Sequence, residues 1–256
     1  MKVVILAGGF GTRISEETHL KPKPMVDLHG RPIIWHIMKY YSSFGFNEFV
    51  VCAGYKANYI KRYFRNYFYD NSDFVVNTSK NETQITKNPD EHWSVHVVDT
   101  GLNVNTGGRV GAVKNIIGDD TFMLTYGDGL ANVNIKELIA FHKKNRNICT
   151  LTAVSPPARF GLLEINKNNK ITKFSEKPSV NEERISGGFF VCEPKVLDLI
   201  EGPNNIFEVD VLPKLAASND LGAYQHNGFW QCMDSLRDKQ SLEKMIADKN
   251  APWKVW

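Results

Sequence analysis

No stretch of this 256-residue chain approaches the roughly 20 consecutive apolar residues that a membrane-spanning helix requires, so no membrane partner is expected. Cysteine is scarce: Cys52, Cys149, Cys192 and Cys232 stand far apart in apolar surroundings, with no CxxC pair. That spacing speaks against a zinc site or a redox dithiol and favours buried free thiols in a reducing compartment. The seven histidines show neither HxH nor HExxH spacing and are read as surface or satisfied core residues. Long charge runs are missing too. With 31 Lys and Arg against 28 Asp and Glu, the formal net charge is only +3, and the signs are interspersed. No nucleic-acid partner is expected on that ground, and a few aimed cations suit a small anionic substrate better. The opening run from Met1 to Gly9 enters glycine too soon for a signal peptide. A cytoplasmic protein is the expectation, without internal repeat, low-complexity segment or flexible linker.

What is present fits an ordinary folded domain: 42% hydrophobic and 23% charged residues, enough to build one core over residues 1–256. Val3 to Ala7 reads as a buried strand, followed by a glycine-rich turn and a helix from near Pro32. Glu48 to Ala53 is a second strand, and residues 57 to 67 carry helical spacing. Residues 70 to 94 are polar, and no element is assigned there. Val95 to Asp99 resumes strand character, and Phe122 to Tyr126 is a hydrophobic strand running into Gly127, Asp128 and Gly129. Past residue 150 the reading becomes β-rich: Cys149 to Val154, then Leu162 to Ile165 and Ile171 to Phe174, joined as a hairpin through Asn166 to Asn169. Helical spacing returns at Pro194 to Ile200 and at Ser235 to Ile246.

Gly8, Gly9 and Gly11 stand within four positions at the end of the first strand, followed by Thr12, Arg13 and, downstream, Lys23 between Pro22 and Pro24. A turn of this kind lets backbone N–H groups approach phosphates, which Arg13 and Lys23 could neutralise; a tight turn with two surface cations is the plainer reading and explains less. The P-loop pattern GxxxxGK[ST] is absent, and GxGxxG fails at its third glycine, which argues against an ordinary NTPase or an NAD enzyme. Asp128 sits beyond the carboxyl end of a strand, where open α/β sheets place ligands. Asp234 stands at a helix start, as a metal ligand, an N-cap or both. Glu176 and Lys177, before Pro178, form a weak signal at a strand end, and Gly161 and Gly188 are bulge residues or points of close backbone approach.

Together these segments resemble the sugar-1-phosphate nucleotidyltransferases, through Gly11-Thr12-Arg13 and Lys21-Pro22-Lys23-Pro24 and then through Asp99-Thr100-Gly101, Thr106-Gly107-Gly108-Arg109, Tyr126-Gly127-Asp128-Gly129, Glu176-Lys177-Pro178 and Gly187-Gly188-Phe189-Phe190. Residues 11 to 26 are similar to the branch that transfers a cytidylyl group from CTP to glucose 1-phosphate, because uridylyl and thymidylyl relatives carry proline where Glu16 stands. The resemblance implies an α/β fold, a single Rossmann-like nucleotidyltransferase domain with a mixed, mostly parallel central sheet and a β-rich sugar-binding lobe. Residues 1–150 would mainly bind nucleotide, and residues 151–256 would mainly bind sugar and carry the C-terminal helices. It further implies nucleotide contacts from Leu6, Ala7, Gly8, Gly9, Gly11, Thr12, Arg13, Lys23, Thr106, Arg109 and Asp128, with Arg13, Lys23 and Asp128 catalytic. Gly161, Glu176, Lys177 and Gly188 would hold the sugar phosphate, and Asp128 with Asp234 would hold Mg²⁺. The glutamine and Pro-x-Gly-Leu stretch that reads the base in uridylyl and thymidylyl relatives is missing near Thr106; this chain has Asn103-Val104-Asn105 there. A cytosine reader has to present acceptors, for which backbone carbonyls of Gly8 and Gly9 or of residues 103–106 are candidates. Association of copies and supply of a dideoxysugar precursor for surface polysaccharide are also implied. A UTP- or dTTP-dependent transferase and a non-catalytic nucleotide sensor on the same fold are the alternatives.

Overall fold

Val3, Ile5 and Ala7 pack into one hydrophobic core and Val4 and Leu6 into a second, the period-2 partition of a strand covered on both faces. The computed structural model describes residues 1–155, 162–175 and 184–256. Its central sheet is built from β1 (Val3–Ala7), β2 (Glu48–Ala53), β3 (Ser94–Asp99), β4 (Phe122–Tyr126), β5 (Cys149–Val154), β6 (Phe190–Cys192) and β7 (Leu221–His226), with the short Ile185–Ser186 strand paired antiparallel to the end of β5. The order across the sheet is β7, β5, β6, β4, β1, β2, β3. Pairings of β1 with β2 and β4, of β2 with β3 and of β5 with β7 are parallel, whereas β6 runs antiparallel to β4 and β5. The sheet is therefore mixed, and much of the β-rich second half read from the sequence extends it instead of standing apart.

Flanking helices are α1 (Ile33–Ser43), α2 (Ala57–Asp70), α3 (Thr106–Ala112), α4 (Ile135–Asn145) and α5 (Leu236–Ala247). From α1, Ile33, Ile34, Ile37, Met38 and Tyr41 join the core that holds Val3 and Ile5, as do Ile135 and Leu138 of α4 and Leu242 and Ile246 of α5. Val110 of α3 lies in the opposite core with Phe207, Val211 and Leu212. Each fully buried Ile or Leu of this kind contributes about 1.5–3 kcal/mol, and these side chains hold the strand ends in place. Among the described residues no helix is long and apolar enough to cross a membrane.

The strands and helices read from the sequence are present, with two differences. Pro194–Leu199 winds as a 3₁₀ helix, which the spacing alone could not distinguish from an α-helix. Residues 70 to 94, left without an element, contain an antiparallel hairpin of Asp73–Asn77 with Glu82–Lys87. Its first strand is exposed at every position, so no inward and outward alternation marks it. The signal it does carry is turn chemistry: Asn77 Oδ1 accepts from the backbone of Ser79 and Lys80, and Asn81 has φ 52°. The second hairpin, Leu162–Ile165 with Ile171–Ser175, is where the sequence put it, closed by Asn166 Oδ1 accepting from the backbone N–H groups of Asn168 and Lys170.

Candidate active site

Three neighbouring parallel strands, β2, β1 and β4, end on the same edge of the sheet, and the chain after each enters glycine: Gly54, Gly8 and Gly127. Beyond that edge lies a cavity of about 570 Å³. Its walls are the loop from Leu6 to Arg13, Lys23 with Pro24, the loop from Leu102 to Thr106 with Arg109, and Tyr126 to Asp128. All the nucleotide-site residues named above thus face one space. The glycines of the first loop do different jobs. A β-carbon at Gly8 would collide with the Arg109 guanidinium, whereas one at Gly9 would meet nothing within 4 Å. Gly11 has φ 67°, a left-handed conformation, and a β-carbon there would lie 2.7 Å from Thr18 Cγ2. The Gly9 backbone is consequently the part of the loop left open.

Lys23 lies in a single 3₁₀ turn, Lys23–Met25, that begins after the extended Pro22 and includes Pro24. Its Nζ donates to Asp128 Oδ2 and to Asp234 Oδ1, both at 2.6 Å. Arg13 Nη1 donates to the other oxygen of Asp234, also at 2.6 Å, from a side chain that is 72% exposed. The Lys23 side chain is only 8% exposed. Burial alone would lower its pKa, but the carboxylates of Asp128 and Asp234 together outweigh it and hold the ammonium above its ordinary value. Asp128 is positioned by the turn after β4. Asp234 is positioned by the Trp230–Cys232 strand, which pairs with Gly129–Ala131 and draws the two acidic segments together. Met233 N donates to Asp128 O at 2.9 Å and locks that approach. Asp234 is not the N-cap of α5: Ser235 is, its Oγ accepting from Asp238 N, and Asp238 in turn accepts from Asp234 N and Ser235 Oγ. The Asp234 carboxylate is thereby left to face the cations.

Arg109 is 5% exposed and its guanidinium meets four backbone carbonyls and one hydroxyl. Nη1 donates to Thr100 Oγ1 at 2.7 Å, Gly101 O at 2.8 Å and Ala53 O at 3.2 Å, while Nη2 donates to Gly8 O at 3.0 Å and Leu102 O at 3.3 Å. Burial pulls its pKa below the usual arginine value, but the guanidinium stays charged, and the oxygen cage satisfies that charge. Next to it, Gly107 and Gly108 let α3 press against the backbone of Pro203 and Asn205. Thr106 Oγ1 accepts from Phe207 N at 2.9 Å and donates to Glu208 Oε2 at 2.6 Å; Tyr126 OH donates to Glu208 Oε1 at 2.6 Å. Burial and then the Glu208 carboxylate push the Tyr126 phenol far up, so it stays a donor. Glu208 sits in a π-helical turn, Phe207–Val211, an uncommon geometry that is frequent at functional sites. The sequence reading missed it, since nothing local sets Glu208 apart from Asp210 two positions on; Thr106 and Tyr126 converge on Glu208 only in the fold. Gly188 has φ 75° and lies against the Tyr126 ring. Gly161, Glu176 and Lys177 lie outside the described residues.

Residues 2–238 match the family described as nucleotidyl transferase. Over its full length the chain is 48% identical to the glucose-1-phosphate cytidylyltransferase of Salmonella typhimurium, and 42% identical to the probable glucose-1-phosphate cytidylyltransferase of Bacillus subtilis, each also covered completely. Among solved structures, HddC from Yersinia pseudotuberculosis superposes with a TM-score of 0.69 at 22% identity, covering 96% of this chain and 99% of that one. UDP-glucose pyrophosphorylase from Acinetobacter baumannii does so with a TM-score of 0.68 at 18% identity, covering 98% and 95%. The fold is common to all of them.

Proposed function

The chain belongs to the nucleotidyl transferase family, and we propose that within it the chain transfers a cytidylyl group from CTP to glucose 1-phosphate, yielding CDP-glucose and pyrophosphate. The full-length identity of 48% to a glucose-1-phosphate cytidylyltransferase carries the choice of substrates. The meeting of Lys23 and Arg13 with Asp128 and Asp234 at the cavity wall supports the chemistry.

In this reading the sugar phosphate oxygen attacks the α-phosphorus in line with the departing pyrophosphate. The attacking oxygen is already an anion, so no Ser-His or Cys-His pair is called for, and the protein's work is positioning and neutralisation. Lys23 takes the α-phosphate, Arg13 reaches the departing pyrophosphate from its exposed position, and the open Gly9 backbone lies against the phosphates. Arg109 holds the Gly8 loop and the Leu102 loop at a fixed separation, so that the base enters a preformed slot.

Mg²⁺ fits the residues present. Asp128 and Asp234 aim one oxygen each at a common point where a cationic nitrogen is already accommodated. Among the described residues no group of three or more His, Cys, Asp or Glu surrounds that point, which suits a cation that takes one or two carboxylates and completes its shell with water and substrate phosphates. Asp128 and Asp234 would hold it, and when bound it supplies further neutralisation of the charge gathering on the phosphates. A cytoplasmic location accords with four free thiols. Association of copies accords with the Asp73–Lys87 hairpin, which exposes Phe74 and Val76 on one side and Val75 on the other.

The test is pyrophosphate release from the purified chain with Mg²⁺, glucose 1-phosphate and each of CTP, UTP, dTTP and ATP. Strong preference for CTP is the expected result. Preference for UTP or dTTP overturns the base assignment, and silence with all four overturns the enzymatic reading.

A further inference from the structure

Lys23 is an unusual neighbour for a metal site, because its ammonium already lies where the two carboxylates converge. Nζ is 2.6 Å from Asp128 Oδ2 and 2.6 Å from Asp234 Oδ1, so two of its three donors are spent on the oxygens that a cation would need. Arg13 takes the remaining oxygen of Asp234. Two cations and two carboxylates leave the cluster with no net formal charge, so little Coulomb attraction remains for a free dication. A nucleotide alters that balance, since its phosphates attract the same ammonium and guanidinium. Lys23 is suited to such a move: its backbone is held in the Pro22–Met25 turn while its four-carbon stem can swing a compact charge.

From this geometry we infer that Lys23 serves as a stand-in cation for the Asp128–Asp234 pair, so that nucleotide and divalent metal bind with strong mutual dependence. A phosphate that draws the ammonium away frees one oxygen of each carboxylate, and a metal that takes those oxygens releases the ammonium to the phosphate. The inference rests on the metal-assisted reading proposed above and adds a coupling that the reading does not contain. It also gives Lys23 a second role, as the group whose position reports whether nucleotide is present.

Mn²⁺ binding to the full-length protein tests this without any turnover. Binding is followed through water proton relaxation in the absence of glucose 1-phosphate, with a CTP-only blank to subtract the Mn²⁺ that nucleotide takes by itself. For the unaltered chain, CTP is expected to tighten Mn²⁺ binding by about tenfold or more, within the ordinary range of coupling between two sites. Lys23→Met is expected to bind Mn²⁺ without nucleotide about tenfold more tightly than the unaltered chain and to lose most of the CTP enhancement. Because that variant leaves two carboxylates facing each other in a half-buried place, Arg13→Gln is measured beside it. It alters an exposed side chain, releases only one oxygen of Asp234, and is expected to tighten Mn²⁺ binding by a smaller factor. Circular dichroism melts verify that each variant is folded. Mn²⁺ affinity that is the same with and without CTP, or unchanged in both folded variants, overturns the exchange while leaving the metal reading in place. Absence of Mn²⁺ binding even with CTP overturns the metal reading, and the exchange with it.

Discussion

Arg109 passes so close to Gly8 that any β-carbon at position 8 would collide with the guanidinium, while Nη2 donates to the Gly8 carbonyl at 3.0 Å. Gly54 borders the same guanidinium and is closed to a side chain for the same reason. One buried cation thus joins the ends of β1 and β2 to the loop from Thr100 to Leu102, and the cavity keeps its width through that joint.

Replacing Arg109 by Lys should therefore cost both stability and nucleotide affinity. A lysine cannot span oxygens on Ala53, Thr100, Gly101, Gly8 and Leu102 at once. With hydrogen bonds to charged groups worth about 1.5–3 kcal/mol each and partial compensation by the ammonium, a loss of about 2–4 kcal/mol is expected in urea unfolding. CTP titration should show weaker binding by about tenfold or more, since each 1.4 kcal/mol is tenfold. Gly8→Ala should give the affinity defect as well. Unchanged unfolding and unchanged CTP affinity would show that the joint is dispensable.

Asp128→Asn should remove pyrophosphate release while leaving the melting temperature close to that of the unaltered chain. The amide keeps an oxygen for Lys23 but loses the charge that balances it. Loss of one pre-arranged electrostatic group costs about 10²–10³ in turnover in comparable sites, and a metal-holding carboxylate should cost at least that. Turnover within tenfold of the original would take Asp128 out of the mechanism.

Glu208 accepts from two hydroxyls, Thr106 and Tyr126, one on each oxygen. A glutamine there offers one oxygen and one amide group, so at least one hydroxyl must turn away from its present partner. Glu208→Gln is expected to weaken CTP binding by about tenfold, or about 1.4 kcal/mol, and to shift the CTP-to-UTP preference, because these hydroxyls border the cavity. Identical affinity and identical preference would confine Glu208 to packing.

His36 provides a pH dependence whose sign can be worked out. Burial pulls its imidazole from 6.5 down to about 4, and Nε2 faces the Leu28 carbonyl at 3.1 Å in a nest of Trp35, Trp253 and Trp256 rings. Between pH 6.5 and about 4 the unfolded chain takes up a proton that the folded chain refuses, so folding stability should fall on acidification. The stability is intact above 6.5, and the loss approaches about 3 kcal/mol by pH 4 at 1.36 kcal/mol per unit. Urea unfolding across that window should show the slope in the unaltered chain and lose it in His36→Asn. The same slope in both would assign the acid sensitivity to other groups.

The elements legible in the sequence are those with a local rule behind them. β1, β2 and β4 announce themselves by unbroken apolar runs because both faces are buried, and the Asn166–Asn169 hairpin by its turn residues. The turn from Gly8 to Arg13 and the place of Asp128 beyond β4 follow from the same short-range logic. The Asp73–Lys87 hairpin was not legible, because a strand exposed on both faces has no alternation to read.

Other relationships depend on which distant segments the sheet brings side by side. Asp234 reaches Asp128 only because Trp230–Cys232 pairs with Gly129–Ala131. Glu208 meets Thr106 and Tyr126 only because its π-helical turn packs beside α3 at the end of β4. Arg109 was named from its motif as a nucleotide residue, yet the direction of its guanidinium, into five oxygens drawn from two loops and a strand end, is a property of the packed chain. Periodicity and turn chemistry act over a few residues and are written in sequence order. Hydrogen bonds between loops arise once burial has chosen the neighbours, and only the tertiary structure makes that choice.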